Sequence, residues 1–138
     1  MTSEDMAALH AYAFAGQGRA WSVQEFAELM QGPHVFVVGD QQGFALGRVV
    51  VDEAELLTIV TDPGQRRQGL ARANLRAYES EARRRGAMSS FLEVARDNGV
   101  ALALYRAEGY AQMACRTGYY RRPGGEQVDA LILRKPAL

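Results

Sequence analysis

A chain of 138 residues with 48% apolar content has enough material for one domain, burying about two-thirds of its unfolded surface without disulfides. Sixteen basic and sixteen acidic residues cancel, so no overall field favours nucleic acid or an anionic membrane. The one cysteine, Cys115, gives neither a disulfide framework nor metal-ligand spacing, no apolar run approaches the ~18 residues of a membrane span, and the opening Met-Thr-Ser-Glu-Asp is not a signal peptide. The expectation is a single domain over residues 1–138 in a reducing cytoplasm.

Thr2 and Asp5 match a capping box and open a helix to about Phe14, which Gly16-Gln17-Gly18 breaks. Ser22 and Glu25 repeat the box, with Trp21 placed to staple onto Phe26. Val23, Phe26, Ala27 and Met30 give the second helix an apolar stripe that Gly32-Pro33 ends. From His34 the period changes to two. His34–Val38 reads as a strand, Gly39-Asp40-Gln41-Gln42-Gly43 as a hairpin turn and Phe44–Val51 as its partner. Asp52-Glu53 marks a second turn before the strand Glu55–Thr61, which Asp62-Pro63-Gly64 stops.

Arg66-Arg67-Gln68-Gly69-Leu70-Ala71 then leads into a helix from about Gln68 to Arg85, with Ala71, Leu75, Tyr78 and Ala82 on its inner face and Gly86 at its end. A strand, a small-residue basic turn and a helix start make an anion site. The first N–H groups of a helix lack intrahelical acceptors, the macrodipole adds positive charge, and Gly69 and Ala71 let phosphate oxygens approach the main chain. Arg66, Arg67 and Arg72 add cations nearby. On spacing alone the same residues also fit a plain helix start with solvated arginines. No Gly-Lys-Ser/Thr follows and the three-glycine dinucleotide fingerprint is missing, so a nucleoside triphosphate is not expected.

Met88–Val94 is a further strand that must return beside the earlier one through a right-handed parallel crossover. Asp97 or Asn98 caps a helix to about Glu108, closed by Gly109. Tyr110–Cys115 and Val128–Lys135 are the last strands, joined by the Gly/Arg/Tyr-rich segment 116–127. The pattern predicts an α/β fold: a mixed, mostly antiparallel sheet flanked by helices, with one parallel strand–helix–strand crossover. Ligands at such sheets sit beyond the carboxyl ends of the parallel strands, here residues 59–62 and 93–95.

Glu93 lies in the apolar run Phe91-Leu92-Glu93-Val94. A carboxylate desolvated by such neighbours becomes a better proton acceptor, although composition equally describes a strand-end Glu reaching water. Tyr105 follows Asn98 by seven residues, two helical turns, so both face one way and can line an extended ligand arm; a tyrosine packed beside Leu102 and Leu104 fits the same spacing. His10 and His34 have no partner spacing for a metal or a triad, Ser89-Ser90 lacks a nucleophile elbow, and Tyr119-Tyr120-Arg121-Arg122 reads as a hairpin tip that contacts a ligand other than nucleic acid.

Together the segments resemble the GNAT superfamily of N-acetyltransferases, and within it the ribosomal-protein alanine N-acetyltransferase (RimI-type) family, over roughly residues 20–135. The carriers are Arg66-Arg67-Gln68-Gly69-Leu70-Ala71, the stretch Leu92-Glu93-Val94 with Asn98, Ala103-Leu104-Tyr105 with Glu108-Gly109-Tyr110, and Tyr119-Tyr120 with Asp129-Ala130. The resemblance implies acetyl-CoA as co-substrate, no metal, and direct attack by a free amine with no covalent enzyme intermediate. It assigns the main chain of Ile59, Val60 and Thr61 to the pantetheine arm and thioester. Arg67, Gln68, Gly69, Leu70, Ala71 and Arg72 would wrap the pyrophosphate, and Asn98 would bond the pantetheine. Glu93 would be the general base and Tyr105 the general acid for the departing thiolate. The implied acceptor is a protein N-terminus or peptide of the ribosomal-protein alanine type, with no nucleic acid or membrane partner, acted on by a monomer or weak homodimer. A lysine or small-molecule amine, or a non-catalytic acyl-CoA-binding module, are the alternatives. The sequence departs from the family pattern where Leu-Glu-Val-Arg becomes Leu-Glu-Val-Ala and Ser-Asn becomes Asp97-Asn98. The family's strand before the first helix is not expected here, since the first helix cap comes at Thr2: either that strand is missing or the start codon lies further upstream.

Overall fold

The computed structural model describes residues 1–14, 20–66 and 68–138. Helix α1 (Ser3–Ala13) begins where the Thr2 hydroxyl accepts the Asp5 N–H at 3.1 Å and the Asp5 carboxylate accepts the Thr2 N–H at 2.9 Å. Helix α2 (Val23–Met30) begins with the same exchange between Ser22 and Glu25. Each box satisfies two N–H groups that a helix start otherwise leaves without partners. The expected Gly16-Gln17-Gly18 break lies outside the described residues. Trp21 does meet Phe26, with ring centroids 5.4 Å apart. Of the expected stripe, Phe26 is buried while Val23 is exposed.

Strands β1 (Val35–Asp40) and β2 (Gly43–Val50) form the predicted hairpin, closed over Gln41 and Gln42. Strand β3 (Glu53–Thr61) starts two residues before the predicted Glu55, because the turn is made by Val51 and Asp52. Val51 sits there at φ 58°, a left-handed conformation that β-branched residues rarely adopt and that its sequence does not advertise. A short 3₁₀ turn over Pro63–Gln65, capped by Asp62, precedes α3 (Leu70–Arg84). Strand β4 (Ser89–Ala95), helix α4 (Gly99–Ala107), and strands β5 (Ala111–Arg121) and β6 (Gln127–Lys135) complete the chain.

The six strands make one sheet in the order β1-β2-β3-β4-β6-β5. Only β3 and β4 run parallel, joined through α3, so the predicted mixed α/β fold and its single crossover are the observed ones. Strand β5 is longer than predicted and carries Tyr119 and Tyr120 within the strand; the turn to β6 is confined to residues 122–126. Among the described residues no helix is long and apolar enough to cross a membrane.

Each face of the sheet has its own core. Helices α1 and α2 bury Met6, Leu9 and Phe26 against Phe44, Leu46 and Val60, while α3 and α4 bury Leu75, Tyr78, Leu102 and Tyr105 against Ala45, Leu56, Leu92 and Leu133. A buried polar chain crosses the second core. The Tyr78 hydroxyl lies 2.8 Å from the Ser90 hydroxyl, the Tyr110 hydroxyl 2.9 Å from Ser90 and 3.0 Å from Glu79, and Lys135 Nζ donates to Glu79 at 3.1 Å. No buried side-chain nitrogen or oxygen among the described residues lacks a partner, as burial of polar atoms requires.

Tyr78 lies directly over Gly47, where an added Cβ would fall 2.5 Å from the tyrosine ring and 2.8 Å from Phe36. The ring cannot retreat, being stacked on Phe36 at 5.9 Å and tethered through its hydroxyl to Ser90. Gly47→Val is therefore expected to overpack the core and destabilise the fold by roughly 1–3 kcal/mol. A thermal melt should show Tm lowered by several degrees; an unchanged Tm would mean the ring has room to move.

Candidate active site

Strands β3 and β4 pair only from Glu53–Ser89 to Leu56–Leu92, although β3 continues to Thr61 and β4 to Ala95. The pairing stops beside a bulge, where Leu46 of β2 stands opposite Thr58 and Gly47 opposite Leu56, leaving Leu57 as an extra residue. A bulge bends its strand and flips the alternation of side chains beyond it. Ala54 and Leu56 belong to the α3-side core; past the bulge Ile59 packs on that side and Val60 on the other. The splayed ends open a cleft of about 780 Å³, walled by residues 56–59, 92–95 and 97–101 with Tyr105, and rimmed by His10, Phe14 and Trp21 on one side and residues 120–123 on the other. It lies at the carboxyl ends of the parallel pair, where the topology predicts a ligand.

Glu93 and Tyr105 reach this cleft from opposite faces. Leu92 and Val94 point into the α3-side core, so alternation turns Glu93 to the other face, whereas Tyr105 on α4 belongs to the α3-side core. A closed sheet would keep its backbone between them; the gap between β3 and β4 lets both line one space. The same alternation corrects the expected setting of Glu93. It is not desolvated between Leu92 and Val94 but exposed, accepting the Tyr120 hydroxyl at 2.9 Å and Arg116 Nη1 at 3.2 Å. Tyr105 is buried, edge-on to Tyr110 at 6.0 Å, and burial pushes its phenol pKa up, so it holds its proton at neutral pH.

Asn98 is the cap of α4, its Oδ1 accepting the Ala101 N–H at 3.2 Å. Its side-chain NH₂ is the part left to meet a ligand, and it shares the cleft with Tyr105 as their spacing predicts. The side chain of Val60 is buried in the α1/α2 core, and the residue pairs with Phe44 of β2. Ile59 lines the cleft and Thr61 ends β3 opposite Gly43.

The basic turn stands past the end of β3 rather than in the cleft wall, which reaches Ile59 on this strand. Gly69, at φ 78°, caps α3 with its backbone alone, and the first helical bond runs from the Ala73 N–H to the Gly69 carbonyl. The Leu70, Ala71 and Arg72 N–H groups thus have no acceptor within the helix, and among the described residues beyond its chain neighbours nothing lies within 4 Å of a Cβ built on Gly69. That suits the turn to a diphosphate: open space, unspent donors and a dipole of the right sign. The helix begins two residues after the expected Gln68 because Gly69 is left-handed. Gln68 is exposed, Arg72 is half exposed with Nε 3.6 Å from Glu108, and Arg66 donates to the Ala13 carbonyl at 3.3 Å; Arg67 lies outside the described residues.

His10 is the core histidine that its lack of partner spacing suggests. It is buried on the cleft rim, its Nδ1 accepting the Trp21 N–H at 3.2 Å and its ring stacked on Phe14 at 4.4 Å and Trp21 at 5.3 Å. The described residues contain no group of three or more His, Cys, Asp or Glu side chains able to hold a metal. Arg116 is the cleft-side residue that sequence reasoning did not single out, whereas Tyr120 and Arg122 belong to the run read as contacting a ligand, with Tyr120 on β5 rather than at a hairpin tip. Arg122 donates to Asp97 at 2.6 Å across the cleft mouth, so the last hairpin is joined to the β4–α4 segment by several charged contacts.

The sequence model of the acetyltransferase (GNAT) family matches residues 5–110. The chain belongs to that family. Among GNAT proteins it is 40% identical over 98 residues to the ribosomal protein bS18-alanine N-acetyltransferase of Escherichia coli K12, an alignment spanning 71% of this chain and 66%, just under two-thirds, of that curated relative. It is 35% identical to the N-alpha-acetyltransferase RimI of Mycobacterium tuberculosis, over 94% of this chain and 83% of the relative. The crystal structure of the ribosomal-protein-S18-alanine N-acetyltransferase from Escherichia coli superposes with a TM-score of 0.87 at 33% identity, covering 98% of this chain and 87% of that one.

Proposed function

We propose that this protein transfers the acetyl group of acetyl-CoA to the N-terminal α-amine of a protein of the ribosomal-protein alanine type. The observation that carries the reading is the gap between β3 and β4, lined by a partly exposed carboxylate from one face and a buried, protonated phenol from the other. The names of the similar acetyltransferases from Escherichia coli and Mycobacterium tuberculosis support the acceptor class.

The chain's residues divide the work. The main chain of the Ile59-Val60-Thr61 segment, on the side of β3 that β4 leaves unpaired, and the Asn98 amide hold the pantetheine arm, while residues 67–72 take the diphosphate at the α3 N-terminus. Glu93 removes a proton from the acceptor amine, directly or through water, as its nitrogen forms a bond to the thioester carbonyl. When the carbon–sulfur bond breaks, Tyr105 gives its proton to the departing thiolate. An α-amine, with pKa near 8, needs far less help at neutral pH than a lysine near 10.4, which suits a site with one modestly placed carboxylate.

Turnover of acetyl-CoA against short peptides that differ in their first residues tests the reading. The same peptides are assayed with blocked N-termini and with an internal lysine. Free N-termini, alanine-initiated above all, are expected to be acetylated and blocked ones not. Equal activity on blocked peptides bearing lysine would move the acceptor to a side-chain amine, and no turnover on any amine would leave an acyl-CoA-binding module.

A further inference from the structure

Glu93 stands just past the point where β4 parts from β3, and a glutamate on that open side would ordinarily sample many rotamers. Here both of its oxygens are taken by β5: Oε1 by the Tyr120 hydroxyl at 2.9 Å and Oε2 by Arg116 Nη1 at 3.2 Å. The two donors differ in kind. Tyr120 is half-buried and braced, with Tyr119 edge-on at 5.3 Å and the Arg122 guanidinium 5.7 Å from its ring, Arg122 itself being bonded to Asp97. Burial and the adjoining carboxylate push the Tyr120 phenol pKa up, so this donor keeps its proton. Arg116 is more than half exposed, and its guanidinium also lies 4.1 Å from the centroid of the Tyr119 ring, which gives it a resting place when it leaves the carboxylate.

We infer that Tyr120 and Arg116 are positioning residues acting through Glu93: Tyr120 fixes the carboxylate toward the cleft, and Arg116 is a stand-in cation on Oε2 that the acceptor's ammonium displaces. An exposed ion pair is weak and easily exchanged for another cation, whereas a braced phenol is not. The clamp sets the direction of the second oxygen before the acceptor arrives, which lessens the ordering needed on binding. The inference rests on Glu93 being the proton acceptor.

Steady-state kinetics with acetyl-CoA and a free-N-terminus peptide test it, on Tyr120→Phe, Arg116→Gln, Arg116→Lys, Glu93→Gln and the Tyr120→Phe/Glu93→Gln double variant. Tyr120→Phe keeps the ring and its stacking. It is expected to lower kcat roughly tenfold with KM for acetyl-CoA unchanged, and to cost nothing further once Glu93 is Gln, as residues of one network do. Arg116→Gln should lower the acceptor's KM roughly two- to fivefold with kcat near wild type, and Arg116→Lys should restore the wild-type KM. A wild-type kcat for Tyr120→Phe, an equal loss in the Glu93→Gln background, or a raised acceptor KM for Arg116→Gln overturns the inference while leaving the base assignment standing. A wild-type rate for Glu93→Gln removes the base assignment and the inference with it.

Discussion

Replacing Glu93 by glutamine is expected to cut turnover by roughly 10²-fold or more while leaving acetyl-CoA affinity nearly intact. The amide matches the carboxylate in size and can still accept the Tyr120 hydroxyl that now lies 2.9 Å from Oε1, so the cleft wall keeps its shape. It has no basic lone pair for the acceptor's proton, and its NH₂ end meets Arg116, another donor. Because Arg116 is more than half exposed and the amide keeps the Tyr120 contact, stability should change by no more than about 0.5 kcal/mol. The deficit should narrow as pH rises past ~8, where solvent deprotonates an α-amine without help. Saturating kcat across pH, beside a calorimetric Kd for acetyl-CoA, reads both halves; an unchanged kcat at neutral pH would discredit the assignment.

What the sequence made legible follows from how local each feature is. Two capping boxes announce α1 and α2 because Thr2–Asp5 and Ser22–Glu25 are complete within one helical turn. Gly86 and Gly109 close α3 and α4 for the same reason, with the Ala87 and Tyr110 N–H groups bonding the Ala82 and Tyr105 carbonyls. The meeting of Asn98 and Tyr105 in one cleft is likewise a matter of helical period. The bulge at Leu57 is not local in this sense. Leu56-Leu57-Thr58-Ile59-Val60 reads as an unbroken β run, and the extra residue exists only relative to β2. That residue reverses the faces of Ile59 and Val60 and lets β3 leave β4. The setting of Glu93 was hidden by the same kind of dependence. Its apolar neighbours in sequence point to the opposite face, and its partners come from 23 and 27 residues away. The Tyr119-Tyr120-Arg121-Arg122 run was the available signal. Only the order β4-β6-β5 shows that Tyr119, Tyr120 and Arg121 lie on the strand whose side chains reach Glu93, with Arg122 opening the turn.

Gly69→Glu is expected to abolish acetyl-CoA binding without unfolding the protein. A non-glycine residue at φ 78° costs roughly 1–2 kcal/mol. Among the described residues beyond its chain neighbours nothing lies within 4 Å of a Cβ at Gly69, so they add no steric penalty. A carboxylate beside the unspent N–H groups of Leu70, Ala71 and Arg72 returns part of that cost through the helix dipole, typically about 0.3–1 kcal/mol. The same stabilising contact is what excludes the ligand. The glutamate would occupy the donors that the diphosphate needs, and like charges held together there cost several kcal/mol, against 1.4 kcal/mol for each tenfold in affinity. Gly69→Ala separates conformation from charge: it carries the backbone strain without the carboxylate and should bind within roughly tenfold of wild type. Calorimetric titration of both variants, beside their Tm values, distinguishes a ligand site from a structural glycine. Affinity lost in Gly69→Glu with Tm within a few degrees of wild type supports the diphosphate turn. Full affinity in that variant would remove the turn from the binding site, and with it the physical reason for an uncapped helix start at the end of β3.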